Sequence, residues 1–241
     1  VGEIYYGGYS QYAKVDSKFL VKKPKELTLK QSMIMGTAGF TALQSAFVTK
    51  LTREELLLGE KVNDVIVSGA SGGVGSIAIM ILNKLGCNVT AVTGKNNNVE
   101  YLKSIGAKNV INTNELTKDA RPLDKGLWDG AVDTVGGKVL ENILSQTKDA
   151  GIVASCGNAA DIKLNTTVMP FIIRGVKLWG INSVTVSNVR RKFLWSEASK
   201  LVDFELLDKS IKEISLEEVN DVYSKMLKGE TSGRYIINLN K

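Results

Sequence analysis

The 241-residue chain has no histidine, two cysteines, three prolines and no apolar run long enough to cross a bilayer. Each shortage excludes a class of function. Without a histidine base, neither Ser-His-Asp nor Cys-His nucleophilic catalysis can be built from these residues, and no histidine-containing zinc site can form. Cys87 and Cys156 lie far apart and make neither a four-cysteine metal site nor a disulfide framework. Both are expected to be small buried apolar residues. The longest apolar run, around Ile77 to Leu82, falls well short of the ~18 residues of a membrane span and reads as part of a helix. Val1-Gly-Glu-Ile is not a charged segment followed by an apolar one, so the expectation is a cytoplasmic protein with no membrane partner.

Apolar residues make up 44% of the chain, ample for a buried core. The net charge of +6 arises from 31 Lys+Arg against 25 Asp+Glu, scattered and with little aromatic interleaving. No nucleic-acid partner is expected from such a surface.

Short apolar runs alternate with helical stretches through the middle of the chain. Asp64-Val-Ile-Val-Ser68, Asn88-Val-Thr-Ala-Val92, Val110-Ile, Gly130-Ala-Val-Asp133, Gly151-Ile-Val-Ala-Ser155 and Val176 to Ile181 read as strands. Helices are expected over 75–85, 99–105 and 138–147, and before them over 29–47 with an interruption at Gly36 to Gly39. Apolar strands separated by helices indicate α/β architecture, a doubly wound parallel sheet covered on both faces. Near the start, Ser10 to Val15 and Phe19 to Lys22 read as short strand pieces. After about residue 184 the pattern changes: a helix over 188–202, a strand over 211–214, a helix over 216–227 and a last strand over 234–239. Ser215-Leu-Glu-Glu218 has the spacing of a capping box.

The most informative stretch is Val65-Ile-Val-Ser-Gly-Ala-Ser-Gly-Gly-Val-Gly-Ser-Ile-Ala78. A strand, a glycine turn and a helix N-terminus in succession bring backbone N–H groups and the positive end of a helix dipole to a dinucleotide diphosphate. The form is A-x-G-x-x-G, with Ala70 in the first glycine position. The same residues spell the G-x-S-x-G of a hydrolase nucleophile elbow, but Ser71 has no histidine to activate it. A P-loop is excluded because Gly94-Lys95 and Gly137-Lys138 are followed by Asn96 and Val139, and no tyrosine has a lysine four residues on, as short-chain reductases require. At the end of the second strand, where NAD binders place an acid for the ribose 2′-OH, Ala91-Val-Thr-Gly-Lys95 offers a hydroxyl, a glycine amide and a cation. That end favours a 2′-phosphate, and hence NADPH.

Several segments carry a resemblance: Gly7-Gly-Tyr-Ser-Gln-Tyr-Ala-Lys-Val15, Met33-Ile-Met-Gly-Thr-Ala-Gly-Phe-Thr-Ala42, the glycine loop Gly69 to Ser76, Glu100-Tyr-Leu-Lys-Ser104, Arg121-Pro-Leu, Asp133-Thr-Val-Gly136, Thr166-Thr-Val-Met-Pro-Phe-Ile172 and Glu213-Ile-Ser-Leu216. Through them the chain resembles the zinc-independent medium-chain dehydrogenase/reductase family, and within it the NADPH-dependent acryloyl-CoA reductases and related quinone oxidoreductases. The resemblance implies that Ser71, Gly72, Gly73 and Val74 hold the diphosphate. It places Thr93, Gly94 and Lys95 at the adenosine 2′-phosphate, with Arg121 as an added cation. Thr134, Asn158, Ile172 and Ser183 would line the ribose and nicotinamide side, and Lys22 and Arg234 are candidate contacts for an acidic CoA tail.

It also implies a Rossmann domain over 33–184, with 1–32 and 185–241 as the remnant of a discontinuous GroES-like catalytic domain whose remainder would precede Val1. No metal is implied. No catalytic residue is assigned, since the family's tyrosine lies in that early segment. The implied reaction is hydride transfer from NADPH to the double bond of a small enoyl-CoA such as acryloyl-CoA. A quinone acceptor and a non-catalytic NADPH-binding or redox-sensing module are the alternatives. A homodimer through the edge strand at 176–184 is expected by the same resemblance.

Overall fold

The computed structural model describes residues 7–241, so the 1–6 portion of the 1–32 segment lies outside it. Helix α1 (Leu29–Ala46) starts from a capping box in which Thr28 accepts from the Gln31 N–H and Gln31 accepts from the Thr28 N–H. It bends at Gly36, whose φ of 46° and ψ of −153° break the helix where the sequence places its glycine interruption. A wider helical turn, Phe47–Thr52, and the short α2 (Arg53–Leu56) lead into the sheet.

From there strands and helices alternate: β1 (Asp64–Val67), α3 (Gly73–Lys84), β2 (Asn88–Thr93), α4 (Val99–Ser104), β3 (Ala107–Asn112), β4 (Trp128–Asp133), α5 (Gly137–Ser145), β5 (Thr147–Ser155), α6 (Met169–Arg174) and β6 (Lys177–Gly180). The six strands are all parallel and lie in the order β3-β2-β1-β4-β5-β6. This is the doubly wound Rossmann order, in which the chain reverses direction across the sheet between β1 and β4.

Successive strand residues face opposite layers, as the two-residue period requires. Val65 and Val67 of β1, Ala91 of β2 and Val132 of β4 join a core with Ile77, Ile81 and Leu43 of α3 and α1. Ile66, Val92, Ala131 and Val153 join the other core, closed by Leu140, Ile143 and Leu144 of α5. Burial on both faces is why these strands read as unbroken apolar runs.

Beyond the sheet come α7 (Asn188–Leu201), α8 (Phe204–Asp208), β7 (Ile211–Ile214), α9 (Val219–Leu227) and β8 (Arg234–Ile237), with β7 and β8 forming a separate parallel pair. Leu194, Ala198, Phe204 and Leu207 pack into the same core as α1 and α3, so that core runs past residue 184 to Leu207. Helix α9, by contrast, buries none of its residues.

Two local expectations differ from the structure. Residues 10–15 and 19–22 form no strand; Asp16 instead caps a short 3-10 turn, Ser17–Phe19. A strand needs a neighbouring strand to satisfy its backbone, and among the described residues no strand is paired with 10–15. Helix α9 begins at Val219, later than Leu216, and one half of the capping box forms: Glu218 accepts from the Ser215 N–H at 2.8 Å. Among the described residues no helix is long and apolar enough to cross a membrane.

Candidate functional site

The glycine loop leaves β1 at its carboxyl end. Gly69 has a φ of 58°, and a methyl group there would collide with the Thr134 hydroxyl. The Ala70 N–H donates to the Val92 carbonyl (3.0 Å) and the Gly72 N–H to the Gly69 carbonyl (2.9 Å), which locks the turn between β1 and β2. Helix α3 then starts at Gly73 behind an extended Gly72. No side chain caps its N-terminus and its first turn holds no acid. The free N–H groups of a helix start carry the positive end of its dipole, and here no side chain among the described residues caps them. A methyl at Gly75 would lie 2.5 Å from the Gly69 carbonyl oxygen and 2.8 Å from the Ala70 Cα, so only glycine lets the helix rest this closely on its loop.

The end of β2 adjoins this loop because β1 and β2 are paired in parallel register, Val67 beside Ala91. Thr93 is buried; its hydroxyl lies 3.4 Å from the Ser71 hydroxyl and accepts from the Lys95 N–H at 3.1 Å. Gly94 is exposed and open, the nearest atom to a methyl there being the Thr113 hydroxyl at 3.7 Å. The Lys95 ammonium donates to the Thr231 carbonyl. Two residues further on, the Gly233 N–H donates to the Ser71 carbonyl at 3.2 Å. The loop before β8 therefore grips both halves of the site. The turn-rich text Gly229-Glu-Thr-Ser-Gly233 marks a loop in the sequence, but nothing in it tells where that loop docks.

At the end of β4, Asp133 is fully buried and accepts from the Ser68 hydroxyl (2.6 Å), the Gly136 N–H (3.0 Å) and the Val135 N–H (3.3 Å). Burial pushes its pKa above the usual carboxylate value against the opposing pull of those three hydrogen bonds. Thr134 donates its N–H to the Ser68 hydroxyl (2.9 Å) and its own hydroxyl to the Ser68 carbonyl (3.1 Å). Ser68 and Asp133 thus fasten the ends of β1 and β4 together, a pairing that sequence reading missed because the residues are 65 apart. The Cys156 thiol donates to the Asp133 carbonyl at 3.3 Å, and burial pushes its pKa up to about 11, as it does for Cys87.

Asn158 is exposed, its Cα 3.4 Å from where a methyl on Gly136 would stand. Ile172 is exposed on α6. Ser183 lines a cavity of about 360 Å³ with Lys22, Met33, Gly36, Thr37 and Arg191. Its carbonyl accepts from the Arg191 guanidinium at 2.9 Å, and that guanidinium lies 4.5 Å from the Phe40 ring centre. The structure brings Ser71 to Val74 together with Thr93 to Lys95, and sets Thr134 beside Gly69. Arg121 is exposed and lies 3.7 Å from Asp124, whose N–H is bonded to the Ser145 carbonyl at the C-terminal end of α5.

A family model described as zinc-binding dehydrogenase matches residues 73–201. The acrylyl-CoA reductase AcuI of Ruegeria pomeroyi is 39% identical over 241 residues, 100% of this chain and 72% of that protein. The yhdH oxidoreductase from Salmonella enterica, solved in complex with NADP, superposes with a TM-score of 0.93 at 39% identity, over 99% of this chain and 72% of that one. The Bacillus subtilis protein yhfP, solved with NAD bound, gives 0.87 at 40% identity, over 97% and 70%. This chain belongs to the medium-chain dehydrogenase/reductase family, in its zinc-independent branch.

Proposed function

We propose that the glycine loop binds NADPH and that the protein is a reductase acting on the activated double bond of a small enoyl-CoA such as acryloyl-CoA. The observation that carries this reading is the start of α3, uncapped and free of acids, beside an acid-free end of β2. An anionic diphosphate fits there, held by the free backbone N–H groups of Gly73 and Val74 and by the Ser71 hydroxyl, with Gly72 letting it come close to the backbone. Thr93, Gly94 and Lys95 would take the adenosine 2′-phosphate, the open flank of Gly94 leaving room for it. Thr134, Asn158, Ile172 and Ser183 would border the ribose and nicotinamide. When bound, the dihydronicotinamide supplies the hydride that reduces the β-carbon of the alkene, and solvent or a side chain supplies the proton at the α-carbon. The chain's own part is to orient that ring and, through the Thr93 hydroxyl 3.4 Å away, to position the Ser71 hydroxyl.

The name of the Ruegeria pomeroyi relative supports the acyl-CoA acceptor, and the NADP in the Salmonella enterica protein supports the cofactor. The six-stranded sheet corresponds to a cofactor domain over 33–184, with 1–32 and 185–241 assigned to a GroES-like unit that shares core through α7 and α8. Strand β6, whose Leu178 and Trp179 are exposed, is the edge through which two copies would pair, in a cytoplasmic homodimer. Sedimentation as a monomer at micromolar protein would remove that pairing.

NADPH oxidation, measured first with acryloyl-CoA and then with a quinone, tests the reaction. Turnover with the thioester supports the proposal, and turnover with the quinone alone replaces it with a quinone reductase. Tight NADPH binding with neither activity points to a redox-sensing module.

A further inference from the structure

Helix α1 meets α7 along a stripe of residues three to four apart, the spacing of one helix face. At one end of the stripe the Phe40 ring centre lies 4.5 Å from the Arg191 guanidinium. At the other, Phe47, in the turn that continues α1, meets Phe193 edge-on with 5.8 Å between ring centres. Gln44 stands between them. It is 3% exposed, and its Nε2 is fully buried without a hydrogen-bond partner. Its polar neighbours on α1 are satisfied within the helix: the Thr41 hydroxyl donates to the Thr37 carbonyl (2.7 Å) and the Ser45 hydroxyl to the Thr41 carbonyl (2.9 Å). A buried amide hydrogen with no acceptor is costly, so Gln44 points to a group that the chain does not supply.

Gln44 lines a cavity of about 320 Å³ at the carboxyl end of β6, together with Trp179, Asn182, Thr185, Ser187 and Arg190. Among the described residues no carboxylate lines it. The Asn182 Oδ1 is taken by the Val184 and Thr185 N–H groups, at 2.8 and 3.1 Å, which leaves that side chain its N–H donors. Arg190 makes no ion pair among the described residues. Ser187 caps α7, and Arg190 stands three residues on, where a glutamate or glutamine completes a capping box and an acid suits the dipole. The first turn of α7 holds no acid, and Arg191 and Lys192 follow. Donors and positive charge thus meet from α1, from the turn after β6 and from α7. A water molecule would satisfy Gln44 and leave the charge standing; an anion answers both.

We propose that this cavity is a binding site for a small oxyanion, separate from the dinucleotide site, with the Gln44 Nε2 and the Arg190 guanidinium as donors. None of the residues around it belongs to the Ser71–Val74 or Thr93–Lys95 sets, so the site stands whether or not the dinucleotide reading holds. A free anion and an acidic side chain of a second copy paired at β6 carry the same acceptor chemistry, and the test separates them.

Melting temperatures in phosphate and in chloride at equal ionic strength, with Kd for inorganic phosphate by calorimetry, are compared for the wild-type protein, Gln44→Leu, Arg190→Gln and Lys95→Glu. The last controls for phosphate bound at the glycine loop. The expected result is that phosphate raises the melting temperature of the wild type and of Lys95→Glu, whereas Gln44→Leu and Arg190→Gln lose the rise and bind phosphate about tenfold or more weakly. In chloride, Gln44→Leu should melt at or above the wild-type temperature, because an unpaired buried amide has gone. Arg190 is exposed, so Arg190→Gln carries the test if Gln44→Leu does not fold. A wild type indifferent to phosphate overturns the proposal. So does a rise that survives in Gln44→Leu and Arg190→Gln; if Lys95→Glu alone abolishes it, the anion sits on the glycine loop. Sedimentation separates the two sources: a mass unchanged by phosphate supports the free-anion site, and a dimer that phosphate splits gives the cavity to an acid of the second copy and overturns it.

Discussion

The two ends of the six-stranded sheet are built on opposite electrostatic plans. At the amino ends, charge is matched. Lys148 on β5 contacts Asp64 at 2.9 Å and Asp129 at 3.3 Å, while Asp129 also accepts from the Asn63 and Asp64 N–H groups at 3.0 and 2.8 Å. Burial alone would raise Asp64, but hydrogen bonds from Lys148 and Asn88 win and hold its pKa below the usual carboxylate value. At the carboxyl ends no side chain caps the start of α3, and among the described residues neither Lys95 nor Arg234 makes an ion pair. The first end is complete without a ligand; the second has an excess of positive features and donors. The difference locates function: a protein can afford unmatched charge only where something else completes it, and in an open α/β sheet ligands bind at the carboxyl ends of the strands.

Substitutions at either end should break this contrast in different ways. Asp129→Ala should cost the most, about 2–3 kcal/mol of unfolding stability, because it strips two backbone N–H groups and Lys148 of their acceptor; the partial exposure of Lys148 keeps the loss below that of a fully buried pair. Denaturant unfolding will show the loss, and the NADPH Kd should not change, since the damage is at the other end. Gly75→Ala should cost about 1–3 kcal/mol by forcing α3 off its loop, and it should also weaken NADPH binding. If it lowered stability but left the Kd intact, the loop would not be the site. Lys95→Glu should leave stability within about 0.5 kcal/mol of wild type and lower kcat/KM for NADPH relative to NADH by about tenfold. An unchanged ratio would remove Lys95 from the 2′-phosphate site.

The smallest effect is one of pH, and it has opposite signs at the two ends. Asp64, with a lowered pKa, contributes stability that is present at neutral pH and lost as pH falls through its folded value. Asp133, with a raised pKa, binds its proton more tightly in the folded state. Its contribution is therefore greatest below the ordinary carboxylate value and lost as pH climbs toward the folded one. Urea midpoints across the acid range should fall less steeply with rising pH in Asp133→Asn than in wild type. An identical slope would show that Asp133 does not titrate in this way.

How much of this was legible in the sequence depended on how far apart the interacting residues lie. Strands such as Val65 to Val67 were readable because burial on both faces demands an unbroken apolar run. The loop at Gly69 to Gly75 was readable because its backbone geometry excludes side chains at particular positions. The docking of Thr231, Gly233 and Arg234 onto Ser71, Lys95 and Gly73 was not, for it joins segments that share no local pattern. The same holds for Ser68 and Asp133. Arg121, placed at the 2′-phosphate by resemblance, lies exposed beside Asp124 in the fold. Ser10 to Val15 has the residues of a strand, yet residue preference does not make one when, among the described residues, no strand lies alongside.

The most direct test of the contrast between the two ends is to follow backbone N–H signals by NMR while NADPH is added. The expected result is that the largest shifts fall on Gly72, Gly73 and Val74, with Asn63 and Asp64 unmoved. Shifts centred on Asn63 and Asp64, or none at all at saturating NADPH, would contradict the assignment of the carboxyl end as the dinucleotide site.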